Sequence, residues 1–214
     1  MSIESFKVVL VGESGVGKTS IITQFIDQTF QEDIQSTTGG TFSTKSVVCD
    51  GGKILKFEIW DTAGQEKYRS LTTMFYKDAI AAVMVYDVTR KDSFEEMKNY
   101  WANQIKENSP ENIILAIAAN KSDLIEQETV DEEEARNFAK ELNAIFVTTS
   151  AKSSEGINSL FEEIAKKYSG ATNITIKEEE DGEEPQVQEQ KNTNTVKIEN
   201  PGKENKKPKK KGFC

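Results

Sequence analysis

One octapeptide near the start of the chain, Gly12-Glu13-Ser14-Gly15-Val16-Gly17-Lys18-Thr19, restricts the folds open to it more than any other stretch. It fits the spacing G-x-x-x-x-G-K-[ST] and lies between an apolar run, Val8 to Val11, and a helical pattern from Ser20 to Ile26. A strand, a glycine-rich turn and a helix N-terminus in that order make a phosphate cradle. Backbone N–H groups from Ser14 through Gly17, continuing to Ser20 at the helix start, converge on phosphate oxygens, and the helix adds its partial positive charge at the same point. Lys18 brings a full charge to the outer phosphates, and the Thr19 hydroxyl suits a Mg²⁺ ligand.

The rest of the chain alternates strands with helices. Phe6 to Val11 reads as a buried strand, and a helix follows from Lys18 to about Asp27. Ser43 to Asp50 and Lys53 to Trp60 read as a hairpin turned at Gly51-Gly52, with Leu55, Phe57 and Ile59 alternating against Lys56 and Glu58. After a weak helix, about Tyr68 to Tyr76, come a continuous apolar strand (Ala79 to Tyr86) and a helix capped by Asp92 that runs to about Glu107. Strands Ile113–Ala119 and Ala144–Thr148 follow, with helices Asp131–Leu142 and Gly156–Tyr168. The expected fold is α/β: a six-stranded, mostly parallel sheet with helices on both faces and one antiparallel edge strand.

In such a sheet, ligands bind outside the carboxyl ends of the strands. Asp61-Thr62-Ala63-Gly64-Gln65 follows one strand, placing a carboxylate for nucleotide-bound Mg²⁺ at Asp61. Gly64 frees an N–H for a terminal phosphate, and Gln65 orients a water for in-line attack. Asn120-Lys121-Ser122-Asp123 follows another. A carboxylate at Asp123 accepts from the ring N–H and exocyclic amine of guanine and rejects adenine, which lacks those donors. Asn120 and Lys121 brace that loop. Ser150-Ala151-Lys152 offers a backbone N–H to the guanine oxygen and a lysine stem to cover the ring. Thr37, in the polar stretch Phe30 to Gly40, is a hydroxyl that reaches Mg²⁺ only when the terminal phosphate is present.

Composition removes several rivals. A formal net charge of -9 argues against nucleic acid as the main partner, and the absence of histidine removes His-based metal sites and Ser–His or Cys–His nucleophilic pairs. The two cysteines, Cys49 and Cys214, cannot form a disulfide framework, so a reducing compartment is expected. Neither a signal peptide nor an apolar stretch near the ~20 residues of a membrane span is visible.

Together, Gly12–Thr19, Thr37, Trp60 to Glu66, Asn120-Lys121-x-Asp123 and Thr149 to Lys152 resemble the small GTPases of the Ras superfamily. Lys56 to Tyr68 and Tyr86-Asp87-Val88-Thr89 resemble the Rab branch, and endosomal Rab proteins in particular. The resemblance spans about residues 5–168. It implies a G domain that binds GTP and GDP with Mg²⁺ held by Thr19, Thr37 and Asp61, and a slow hydrolysis carried by Gln65, Lys18 and Thr37. It implies that Phe30 packs edge-on against guanine, and that Phe42, Trp60 and Phe75 present the switch loops to effectors. It further implies an exchange factor, an activating protein supplying an arginine in trans, and chaperones that escort or extract a lipidated form. Three residues depart from the family pattern: Phe75 where tyrosine is usual, and Thr38 and Gly40 where isoleucine and valine or alanine are usual.

Residues 1–170 are expected to form the G domain and 171–214 a flexible tail. Ala171 to Asn200 carries three lysines against eight acids, and Pro201 to Cys214 carries six lysines against Glu204 alone. The resemblance implies geranylgeranylation of Cys214. The lysines are the second membrane signal that a single lipid chain requires, and Val196-Lys197-Ile198 is a candidate chaperone grip. The expected place is the cytosol and the cytoplasmic face of an intracellular membrane, endosomal by resemblance. Two rival functions are a P-loop kinase, which needs an arginine-rich lid that Arg69, Arg90 and Arg136 do not supply, and a nucleotide-binding module without turnover.

Overall fold

Continuous apolar runs become the central strands, because only a strand covered on both faces tolerates them. A computed structural model describes residues 3–32, 37, 40–62 and 75–176. Strand β1 (Ile3–Val11) leads into helix α1 (Lys18–Asp27), followed by β2 (Thr41–Cys49), β3 (Ile54–Asp61) and β4 (Ala81–Asp87). Helix α2 runs through Lys91–Glu96, a π-helical turn Met97–Trp101 and Ala102–Asn108. Then come β5 (Ile114–Asn120), α3 (Glu132–Glu141), β6 (Ile145–Thr149), α4 (Ile157–Ser169) and a two-residue strand, β7 (Ile174–Thr175).

The sheet order is β6-β5-β4-β1-β3-β2-β7. Pairs β1–β3, β1–β4, β4–β5 and β5–β6 are parallel, whereas β2 is antiparallel to both of its neighbours. Period-two alternation divides the core between the faces. Val8, Leu10, Phe57, Val83 and Val85 join one layer with α1 and α4, and Val9, Val11, Ala82, Met84 and Tyr86 join the other with α2 and α3. In the first layer Phe25 stacks on Phe161 at 3.8 Å between ring centroids, and Phe57 meets both edge-on. This aromatic trio packs α1 against α4 and β3.

Four local expectations are corrected. The sheet has seven strands rather than six, and β2 is not its edge. Val48 and Cys49 pair with Thr175 and Ile174, and the Asp50 carboxylate accepts from Thr172 Oγ1 (2.9 Å) and Asn173 N (2.8 Å). Residues 171–176, read as the start of the tail, therefore lie on the sheet, with Ala171, Ile174 and Ile176 against the core. The hairpin turn is longer than two glycines: a 3-10 turn, Asp50–Gly52, closed by Cys49 N to Lys53 O at 2.8 Å. Helix α2 starts at Lys91 with Arg90 in the capping position, and the Asp92 carboxylate instead faces the Arg90 guanidinium at 2.8 Å. Most of the weak helix expected over Tyr68 to Tyr76 lies outside the described residues.

Helix α1 lacks a basic residue in its last turn. The buried Lys45 of β2 fills that need, donating to Phe25 O at 2.5 Å and Ile26 O at 3.5 Å. A cation at a helix C-terminus meets both the free carbonyls and the dipole.

Candidate nucleotide site

The carboxyl ends of β1, β3, β5 and β6 deliver their loops to one cavity of about 400 Å³, within the usual size of a small-molecule site. The phosphate loop forms its floor. Gly17 caps α1 at φ +97 with no side-chain capping bond, so the first-turn N–H groups are left for an anion. A Cβ at Gly17 would lie 2.3 Å from Asn120 Nδ2, and one at Gly12 would lie 2.3 Å from Val85 O. The loop thus depends on glycine for contact with its neighbours as well as for its backbone shape.

Lys18 is buried and donates to Gly12 O and Glu13 O, both at 2.9 Å. Burial pushes its ammonium down to about 8, against the opposing pull of the Asp61 and Glu13 carboxylates. Beside it, Thr19 Oγ1 donates to Asp61 Oδ2 at 2.6 Å, the Thr37 hydroxyl lies 2.9 Å from Thr19 Oγ1, and Thr37 Oγ1 is 3.4 Å from the same carboxylate oxygen. Burial raises the Asp61 carboxyl above its ordinary range, with Thr19, Lys18 and Thr37 opposing. Asp61 Oδ1 is buried and meets no hydrogen-bond partner among the described residues. Two hydroxyls and one carboxylate, whose Oδ1 is buried and unsatisfied, form an all-oxygen donor set that fits Mg²⁺, which keeps several waters and takes few protein ligands. Thr62 Oγ1 ties the end of β3 to β1 by donating to Leu10 O at 2.6 Å.

The far wall comes from the ends of β5 and β6 and the loops that follow them. Asn120 is buried, donating from Nδ2 to Val16 O at 2.8 Å and accepting from Thr149 Oγ1 at 3.2 Å. It therefore joins the phosphate loop to the end of β6. Lys121 takes a left-handed φ of +68, and its Nζ lies 2.6 Å from the buried Asp87 Oδ2. Asp123 is exposed to the cavity, with Oδ1 accepting from Ser150 Oγ at 2.6 Å. Ser150 N donates to Glu155 O, so a base oxygen would be met by an N–H farther along, at Ala151 or Lys152. Across the mouth, Lys152 Nζ reaches Glu32 Oε1 at 3.1 Å, close to the part-exposed ring of Phe30.

Most of the expected site residues line this cavity. Val16, Asp61 and Ser150 instead stand one layer behind it: Val16 is in the core beneath the loop, Asp61 is behind the two threonines, and Ser150 is behind Asp123. Gly64, Gln65 and Cys214 lie outside the described residues, as do Thr38, the lysine-rich segment and Val196-Lys197-Ile198. Sequence reasoning gave no role to Asp87, although an acid ending an apolar strand is the same signal that marked Asp61. It also gave no individual role to Thr149, named only within the resembling stretch, or to Arg90, weighed only as one of three arginines. Outside the cavity, the Trp60 ring lies between Phe42 and Phe75, at centroid distances of 5.1 and 5.5 Å. A Cβ at Gly40 would come within 2.5 Å of the Phe75 ring, so two departures from the family pattern touch each other.

Comparison with known proteins agrees with this geometry. The Ras family model matches residues 7–170. The human Ras-related protein Rab-31 is 44% identical over 185 residues, covering 84% of this chain and 94% of its own length. The human Ras-related protein Rab-22A is 44% identical over 167 residues (78% and 85%), and its dog counterpart 43% over 171 (80% and 87%). Neither a kinase nor a binding module without turnover is favoured by these relatives. The chain belongs to the Ras family, as a Rab small GTPase of the endosomal branch: a trafficking switch that binds GTP and hydrolyses it to GDP and phosphate.

Proposed function

We propose that this switch runs on the residues gathered at the cavity and reports its state on the cytosolic face of an endosomal membrane. The meeting of Thr19, Thr37 and Asp61 within 3.4 Å, next to the desolvated Lys18, is the observation that carries the reading. Lys18 holds the outer phosphates. Thr19, Thr37 and Asp61 would hold Mg²⁺, which when bound offsets charge between the β and γ phosphates. Thr37 lies on the loop between α1 and β2, so its hold on the site is the part that reads the terminal phosphate. Gly64 offers its N–H to that phosphate while Gln65 orients the water that attacks phosphorus, and the bridging oxygen leaves on GDP. Asp123 selects guanine, braced by Ser150, with Asn120 and Lys121 fixing the loop and Phe30 and Lys152 flanking the ring.

As a Rab protein the chain works with exchange factors, activating proteins and effectors. In our reading the effectors meet Phe42, Trp60 and Phe75. Residues 1–170, with 171–176 completing their sheet, are the switch, and the chain beyond to Cys214 is the tether, with a lipid on Cys214, a lysine cluster beside it and chaperones that grip Val196-Lys197-Ile198. No helix among the described residues is long and apolar enough to cross a membrane. Competition of GTP, GDP and ATP for the full chain, followed by single-turnover hydrolysis, tests the site. Thr37→Ala is expected to lose its Mg²⁺-dependent preference for GTP over GDP, and an unchanged preference would overturn the sensor role. Cys214→Ser is expected to leave the membrane fraction; retention there would overturn the anchor.

A further inference from the structure

Glu13 is an anomaly within this site: a carboxylate inside a loop built to bind anions. Its backbone and side chain face different partners. The carbonyl accepts from Lys18 Nζ at 2.9 Å, and the carboxylate Oε2 lies 2.6 Å from Arg90 Nη2. The same guanidinium reaches Ser14 O through Nη1 at 3.2 Å. Its remaining contacts, Nη2 to Asp92 Oδ2 at 2.8 Å and Nε to Asp92 Oδ1 at 3.4 Å, fix it to the start of α2. These bonds to Asp92, then to Glu13, hold the guanidinium firmly charged. Arg90 thus spans from the β4–α2 connection to the outer side of the phosphate loop, where Ser14 and Gly15 border the cavity.

We propose that Arg90 is the counter-ion and positioning residue of the phosphate loop. It neutralises Glu13, which would otherwise repel the nucleotide's phosphates. It also holds the Ser14 carbonyl on the outer side, so that the loop's N–H groups stay turned inward. The proposal rests on the nucleotide site described above. A charge that merely steadied α2 would affect all ligands alike, whereas an unneutralised carboxylate penalises a ligand in proportion to its negative charge.

Affinities of the full chain for GTP, GDP and GMP, read by displacement of a fluorescent GDP, distinguish the two. Arg90→Ala is expected to weaken GTP binding about tenfold, GDP less and GMP least, a size discounted for the partial exposure of the pair. Adding Glu13→Gln to Arg90→Ala is expected to restore GTP affinity to within about threefold, because the repelling charge is gone. Arg90→Lys, which keeps the charge without the fork, is expected to keep most of the affinity and serves if the alanine variant fails to fold. Equal losses for all three nucleotides, no rescue by Glu13→Gln, or a lysine variant as weak as the alanine one would each overturn the proposal. Failure of the unmodified chain to bind guanine nucleotide would overturn the site itself and this inference with it.

Discussion

Adding a single methyl group at Gly17 should uncouple the two halves of the nucleotide site. Gly17 sits at φ +97, where an L-residue with a Cβ is strained by roughly 1–2 kcal/mol. The new Cβ would stand 2.3 Å from Asn120 Nδ2, so the amide must leave. Its departure breaks the bonds to Val16 O and Thr149 Oγ1, and leaving one such buried group unpaired costs about 1–3 kcal/mol. The sum, about 2–5 kcal/mol, corresponds to roughly 30- to 4,000-fold in nucleotide affinity if the loaded state bears it all. Asn120→Ala removes the obstacle, so the Gly17→Ala/Asn120→Ala double variant should be less impaired than the two single losses added together. The assay is dissociation of a fluorescent guanine nucleotide from the four proteins, with melting of the loaded forms to check folding. Additivity within about 0.5 kcal/mol would refute the steric link between the phosphate and base loops.

Other expectations are more local. Phosphates next to Lys18 favour its charged form, so its pKa is higher with nucleotide than without; affinity is complete below about 8 and falls as pH rises through it, by up to about tenfold per pH unit. GDP affinities from pH 7 to 9 test this, and a Lys18→Arg chain should show the flatter profile. Gly40→Ala should displace the Phe75 ring, changing Trp60 emission and costing about 0.5–1.5 kcal/mol of stability. Restoring space with Phe75→Leu should recover it, and melting curves with no recovery would sever the pair. Gln65→Leu should slow single-turnover GTP hydrolysis while leaving GTP affinity unchanged; undiminished hydrolysis would remove Gln65 from the mechanism.

Much of this architecture is legible in the sequence because the relevant signals are local. The run from Ala81 to Tyr86 is apolar throughout, and Leu55, Phe57 and Ile59 alternate with Lys56 and Glu58, so period and burial agree without help from distant residues. The phosphate loop and Asn120 to Asp123 are readable for the same reason. What escaped are partnerships across the chain. Arg90 and Glu13 are 77 residues apart, and Asp50 and Asn173 are 123 apart. Strand β7 is only two residues long and is held partly by a side chain, so hydrophobic period cannot announce it. The start of α2 was misplaced because Asp92, a good cap by residue type, bonds to a guanidinium two positions back. Gly40 stands in the sequence only as a departure from the family pattern, and the ring of Phe75 fills the space where its Cβ would be.

The bond from Lys45 to Phe25 O spans 20 positions and encloses the whole segment that includes Thr37. The last turn of α1 and the middle of β2 are therefore pinned to each other. Closing a loop of that length has an entropic cost that grows only with the logarithm of length, and here folding meets it before any nucleotide arrives. A nucleotide that engages Thr37 need not supply that part of the closure cost on arrival. Cutting the pin, as in Lys45→Met, would shift that cost onto the nucleotide and make the GTP-bound form harder to reach than the GDP-bound one.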